Sequence, residues 1–293
     1  MRRLSLVTTL AFLMVVLGAR PGLAGEPTAD WVTLRLQNGG AEIGDTTGWM
    51  RRARFDMSAE RSYLGVGPFA GLFLFRLFNA REAWQDLRLP AGRAVAKAIA
   101  TGRLVVRAQG QFRAFSTPGN RCVRVELRFF DNDGISVGGA ESEAALSQTD
   151  WQFVQHFARA PASARTVRVT LEGSESAGNP LCNTNLLIDE VAAAYCLAPE
   201  QVRLSAPESA VRIGLRPTLR WDLAGAASDY EVQVARDRSF TKIDVERQVT
   251  GATNTHRLEQ SLRRDTLYYW RVRGVSECAE GEWSTARYFY TRL

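Results

Sequence analysis

In CVRVELRFF (122–130), Val123, Val125, Leu127 and Phe129 fall on one side of an extended chain, and Arg124, Glu126 and Arg128 on the other. A period of two with one apolar side marks a strand with one buried and one wet face. TVRVTLEG (166–173) repeats the pattern through Val167, Val169 and Leu171, and YEVQVA (230–235) through Tyr230, Val232 and Val234. Helical periodicity is weak. AGRAVAKAIATG (91–102) is the one tempting run, and its glycine borders between strands predict a loop or short turn. The expected fold class is all-β.

The N-terminus reads as an export signal. Arg2 and Arg3 precede an apolar stretch from Leu4 to Gly18, and Gly22-Leu23-Ala24 offers the small residues a signal peptidase reads. That stretch is too short to span a bilayer comfortably, so no stable membrane span is expected once residues 1–24 are removed. Secreted, cell-surface and periplasmic destinations all fit. Loss of Arg2, Arg3 and Arg20 halves the formal charge of +6, which leaves no argument for nucleic-acid binding. The remaining length suits about two domains.

Four cysteines in an exported chain suggest two disulfides, with three possible pairings. Cys122 and Cys182 fall in the first half, and Cys196 and Cys278 bracket the second. That split favours one bridge per half, each closing a long loop and so stabilising in the chain-entropy model. No cysteine–histidine spacing resembles a zinc site, and His156 and His256 are isolated.

A boundary falls near Cys196-Leu197-Ala198-Pro199. Beyond it, residues 199–293 have the spacing of a seven-strand sandwich, with Trp221 on a strand-B candidate and Tyr230 opening strand C. Leu262, Thr266 and Tyr268 are spaced as at a tyrosine corner, and GEWSTARYFYT (281–291) closes the module. This segment resembles a fibronectin type III domain, an immunoglobulin-like sandwich. In such a sandwich strand parity puts Cys196, before strand A, and Cys278, in the F–G loop, at one pole. A bridge there would tie the interdomain hinge to the domain.

Residues 31–196 read as one larger β module. NGGAEIGDTTGW, AWQDLRLP, LRFFDNDG, PASARTVRVTLEG and LLIDEV follow one another in the order of the galactose-binding-like jelly rolls found among carbohydrate-binding modules. The resemblance implies a β-sandwich jelly roll and a structural calcium between its first and last strands. Calcium takes six to eight hard oxygens. Carried over, Glu42 and Asp189 would be side-chain ligands, with carbonyls around Gly44; Glu190 stands where a second aspartate is usual. The alternative is that both carboxylates are solvated or paired with arginine.

Sugar binding needs flat apolar surface beside planar hydrogen-bonders. In AWQDLRL (83–89), Trp84 shares the polar parity with Asp86 and Arg88 and is the best exposed aromatic candidate. Trp49 and Trp151 look like core anchors, and Trp221 and Trp270 belong to the fibronectin-like core. Arg107, Gln109, Gln111 and Arg113 share one strand face; beside Arg124 and Arg128 they would form an arginine-rich ligand surface. The candidate ligand residues are therefore Trp84, Arg88, Arg107, Gln109, Arg124 and Arg128. The alternative is a solvated outer face.

Catalysis is the weakest reading. His156 lies within strand FVQHF, His256 in a polar stretch, and neither is near a nucleophile elbow. DNDG (131–134) reads as a turn. The expectation is an exported non-catalytic binding protein that recognises glycans through the jelly roll, with the fibronectin-like domain as spacer. The alternative is a module that adheres to a cell-surface protein without a sugar site.

Overall fold

The computed structural model describes residues 31–51, 57–77, 82–115, 122–146, 150–173 and 185–293. The export signal expected at 1–24 and Cys182, with the pairing expected for Cys122, lie outside the described residues.

The first module is a two-sheet sandwich. Its strands are β1 (Val32–Leu34), β2 (Met50–Arg51), β3 (Met57–Glu60), β4 (Leu74–Leu77), β5 (Glu82–Arg88), β6 (Leu104–Phe115), β7 (Cys122–Phe130), β8 (Ser136–Ala145), β9 (Gln152–Arg159), β10 (Thr166–Gly173) and β11 (Asn185–Leu197). A front sheet runs β3-β4-β11-β6-β9, with β1 also paired to β11. A back sheet runs β2-β5-β10-β7-β8. The alternating residues read from sequence face inward: Val123, Val125, Leu127, Phe129, Val167, Val169 and Leu171 are all buried. They meet Leu104, Val106, Phe112, Leu186 and Ile188 from the front sheet in one apolar core.

The run expected to be a loop at 91–102 contains a helix, α1 (Arg93–Ala100). Alanine-rich sequence favours helix, and Val95, Ala98 and Ile99 form its buried side. The glycine that suggested a loop is its stop signal. Gly102 takes a φ of +65°, its N–H donates to the Ile99 carbonyl, and the Arg103 N–H reaches back to Ala98.

Trp49 is a core anchor, buried with its Nε1 donating to the Asn38 carbonyl and its ring edge-on to Phe75. Trp151 is not. It is half-buried and packs edge-on against exposed Phe69, outside the core. DNDG is the expected turn, with Asp131 Oδ1 accepting the N–H groups of Asp133 and Ile135.

The second module carries β12 (Leu204–Ala206), β13 (Val211–Ile213), β14 (Thr218–Trp221), β15 (Asp229–Ala235), β16 (Ile243–Val249), β17 (Thr255–Arg257), β18 (Leu267–Val275) and β19 (Arg287–Thr291). Sheets β12-β14-β17 and β13-β19-β18-β15-β16 enclose Trp221, Tyr230, Tyr268 and Trp270, so the first strand of the sandwich is shared between the two sheets. Tyr268 makes the expected corner. Its hydroxyl accepts the Arg263 N–H at 3.2 Å and donates to Asp244 at 2.8 Å.

The modules meet where β11 ends. Cys196 and Cys278 are disulfide-bonded with Cα atoms 6.4 Å apart. Around them Trp31, Val105, Ala194 and Ala198 pack with Ala279 in a small apolar cluster separate from both cores. Glu200 accepts from Lys97 at 3.0 Å and from Arg103 at 3.2 Å, and Arg103 also donates to the Ala198 carbonyl. No helix among the described residues is long and apolar enough to cross a membrane.

Candidate functional site

The topology divides the ligand residues expected from sequence. β6 lies in the front sheet and β7 in the back sheet, so Arg107 and Gln109 face away from Arg124 and Arg128 across the whole sandwich. The single arginine-rich surface expected from neighbouring strands is therefore not formed. Alternation assigns a residue to a face of its strand, and which sheet the strand joins depends on long-range pairing.

On the back sheet, Trp84, Asp86 and Arg88 do share the outer face of β5. Trp84 is half-buried rather than exposed. Arg168, from the neighbouring β10, reaches over it, its guanidinium 5.3 Å from the ring centroid, while pairing bidentately with Asp86 at 2.7 and 2.8 Å. Arg124 pairs with Glu172 at 3.4 Å, and Arg128 pairs with Glu126. This face is a lattice of ion pairs, and the Trp84 ring carries a guanidinium. Exposed pairs of this kind contribute little stability.

The front sheet is built differently. Arg107, Gln109, Gln111 and Arg113 project from β6 on one side, as read from sequence. β9 pairs with β6 so that Phe153 stands beside Gln111, Gln155 beside Gln109, and Phe157 beside Arg107. Phe153 is 53% exposed and Phe157 41% exposed, unusual for phenylalanines on a regular strand. On the other side of β6, Ala192 and Ala194 of β11 form a low floor beside Gln109 and Arg107. A groove-like cavity of about 210 Å³ lies on this face, lined by Thr33, Arg107, Gln109, Gln111, Phe153 and Glu190 among others. Phe153 and Phe157 were missed from sequence. QFVQHFAR carries apolar groups on both parities, and only the inward set of Val154 and Ala158 shows that the two phenylalanines must point out.

A bulge in β11 shapes one wall. Asp189 pairs with Gln111 and Ala192 with Gln109, so one extra residue is accommodated, and Glu190 takes a φ of +49°. The bulge turns Glu190 into the groove and leaves Asp189 fully buried.

Arg107 is the most constrained charge in the groove. Its guanidinium lies 4.3 Å from the Trp31 ring centroid, its Nε is buried without a hydrogen-bond partner, and desolvation pushes its pKa down. His156 points inward from β9. Burial holds its pKa below the usual histidine value, and its Nε2 is buried without a partner.

The carboxylates expected to bind calcium are turned to backbone N–H donors. Asp189 Oδ2 accepts from Phe69 and Ala70 at 2.8 and 3.0 Å, and Oδ1 accepts from Glu190 at 2.8 Å. Glu42 accepts the N–H groups of Leu72 and Phe73 at 3.0 to 3.1 Å. Gly44 packs within reach of the Phe73 ring rather than lining a cage. Both carboxylates are thus engaged by the backbone, and among the described residues no three His, Cys, Asp or Glu side chains gather. The two carboxylates clasp the 69–73 segment directly.

A family model, the Rha78A-like, N-terminal immunoglobulin domain, matches residues 199–293, the segment that holds β12 to β19. No curated protein matches the chain. Among solved structures, the chain is similar to the CBM22-1 xylan-binding domain of Paenibacillus barcinonensis Xyn10C. That match has 12% identity, covers 55% of this chain and 93% of that one, and gives a TM-score of 0.40. It is similar to TmCBM61, solved with beta-1,4-galactotriose, at 16% identity over 55% of this chain and 98% of that one, with a TM-score of 0.37. An Fn3-like protein from Clostridium thermocellum matches at 16% identity over 32% of this chain and 92% of that one, with a TM-score of 0.25.

Proposed function

We propose that this is an exported, non-catalytic glycan-binding protein whose jelly roll receives an extended oligosaccharide along the outer face of the front sheet. One observation carries the reading: β6 and β9 place a row of planar hydrogen-bonders, Arg107, Gln109 and Gln111, in register with exposed Phe153 and Phe157. Pyranose rings present C–H faces that stack on aromatics and hydroxyls that amides and guanidinium groups read. The row from Phe153 to Phe157 extends about 13 Å, room for two or three sugar rings in line. The titratable groups lining the groove are Arg107 and Glu190, a set without a paired acid and base or a nucleophile with its base. Export is supported by the signal-like N-terminus and by the Cys196–Cys278 bridge, which suits an oxidising compartment.

The test is retention of purified protein on a panel of soluble and insoluble polysaccharides. Wild type is expected to bind at least one. Phe153→Ala and Gln109→Ala each weaken that binding roughly tenfold, while Trp84→Ala, on the opposite sheet, leaves it unchanged. Failure of wild type to bind any glycan would overturn the reading in favour of adhesion to a cell-surface protein. Loss through Trp84→Ala alone would move the site to the back sheet.

A further inference from the structure

The outer row of the front sheet leads from this groove to the end of the jelly roll. Along β6 and β9 the outer residues run in register toward the junction: Gln109 beside Gln155, Arg107 beside Phe157, Val105 beside Arg159. Trp31, itself buried, packs against the last part of this row, its ring centroid 5.9 Å from that of Phe157 and 4.3 Å from the Arg107 guanidinium. Beyond it a second cavity, of about 380 Å³, opens between the domains. Phe157 and Arg159 wall it from the jelly roll, and Arg273, Glu280 and Trp283 wall it from the immunoglobulin-like domain.

This far wall is held in place. Trp283 is half-buried, with the guanidinium groups of Arg271 and Arg273 at 4.3 and 4.6 Å from its ring and its carbonyl accepting from Gln201. Arg273 pairs with Glu231 and Glu280. Arg159 donates across the junction to the Glu280 carbonyl at 2.9 Å. The Cys196–Cys278 bridge anchors the loop that carries Glu280 to the last strand of the jelly roll. Aromatic side chains, guanidinium groups and carboxylates therefore recur at the end of the same path that carries the phenylalanine and glutamine rows.

We propose that the glycan groove crosses the domain junction, so that the immunoglobulin-like domain supplies a further sugar subsite around Trp283 instead of acting only as a spacer. The ligand class is a polysaccharide long enough to run from Phe153 to Trp283. The inference rests on the front sheet being the glycan site. The disulfide then acts as a positioning element that keeps the two parts of one groove aligned.

The experiment is calorimetric titration of the intact protein with a length series of the oligosaccharide that the panel identifies. Wild type is expected to gain affinity from tetrasaccharide to octasaccharide. Trp283→Ala and, separately, the exposed Arg159→Ala remove most of that gain, roughly tenfold, and leave tetrasaccharide affinity unchanged. Cys196→Ser with Cys278→Ser produces the same length-dependent loss. Phe153→Ala weakens short and long ligands alike. If wild type gains affinity with length and the Trp283 and Arg159 variants gain it equally, the junction subsite is wrong and the front-sheet reading stands. Absence of a length gain in wild type likewise rules out the junction subsite alone. If wild type binds no glycan, both fall together.

Discussion

Asp189 shows how much a single buried carboxylate decides. It is fully buried and accepts three backbone N–H groups, yet desolvation outweighs those donors and raises its pKa from 3.8 to about 6, with Glu190 adding to the rise. An acid whose pKa is higher in the folded state favours folding when protonated. Its contribution is complete below 3.8 and is lost as pH rises through about 6, an effect of up to about 3 kcal/mol. Asp237 runs the other way. Hydrogen bonds led by Ser239 lower its pKa, so its contribution is present above 3.8 and lost on further acidification. The net profile mixes such groups, and the informative quantity is the difference between wild type and Asp189→Asn in Tm from pH 4 to pH 7. Wild type should lose stability relative to the variant across that range; parallel profiles would show that Asp189 does not titrate there. The same geometry governs calcium. With Glu42 and Asp189 engaged by the 69–73 backbone, neither chelator nor added calcium should shift Tm, and a fall in Tm with chelator would restore a metal to the clasp.

At the scale of elements, the bulge in β11 depends on a turn far away in sequence. The Gly39 carbonyl accepts from the Val191 N–H at 3.0 Å, and a Cβ at Gly39 would lie 2.0 Å from the Val191 carbonyl oxygen. Gly39→Ala must push the 36–49 turn off β11, with an expected loss of about 1–3 kcal/mol in denaturant unfolding monitored by tryptophan fluorescence. An unchanged midpoint would mean that the turn relaxes freely. Trp49 was legible as a core anchor, and the jelly-roll resemblance linked Glu42 with Asp189 as calcium ligands; their hold on the 69–73 backbone was not legible. Strand faces were legible because one-sided burial writes itself into β7, β10 and β15 as a period of two. Sheet membership was not. β10 sits between β5 and β7, and nothing in the alternation of β6 reveals that it pairs with β9 and β11 instead. The groove was half legible, through Arg107, Gln109 and Gln111. Its phenylalanines were hidden because β9 is apolar on both parities. α1 escaped because eight residues are too few to establish a helical period against glycine borders.

At the scale of the whole molecule, two separate apolar cores share one chain, and what couples them is small. Among the described residues the junction includes a minor cluster around Trp31, Val105 and Ala198, the polar links from Lys97 and Arg103 to Glu200 and from Arg159 to the Glu280 carbonyl, and the Cys196–Cys278 bridge. Interdomain contacts of this size ordinarily permit relative motion, and an exposed ion pair such as Lys97–Glu200 does little to prevent it. The bridge is therefore the element that fixes orientation. It spans 82 residues, which in the chain-entropy model corresponds to about 4–5 kcal/mol withheld from the unfolded state. Removing it should have two distinguishable effects. Cys196→Ser with Cys278→Ser should lower the thermal stability of the immunoglobulin-like domain, whose strands from β12 to β18 lie inside the closed loop. It should also broaden the distribution of interdomain distances in small-angle scattering while both domains remain folded by circular dichroism. Arg103→Ala in the bridged protein should leave the scattering profile unchanged, because the covalent link remains. A double-serine variant that scatters like wild type would mean that the Trp31 cluster alone sets the orientation, and the alignment of the two cavities would then be owed to packing and not to the disulfide.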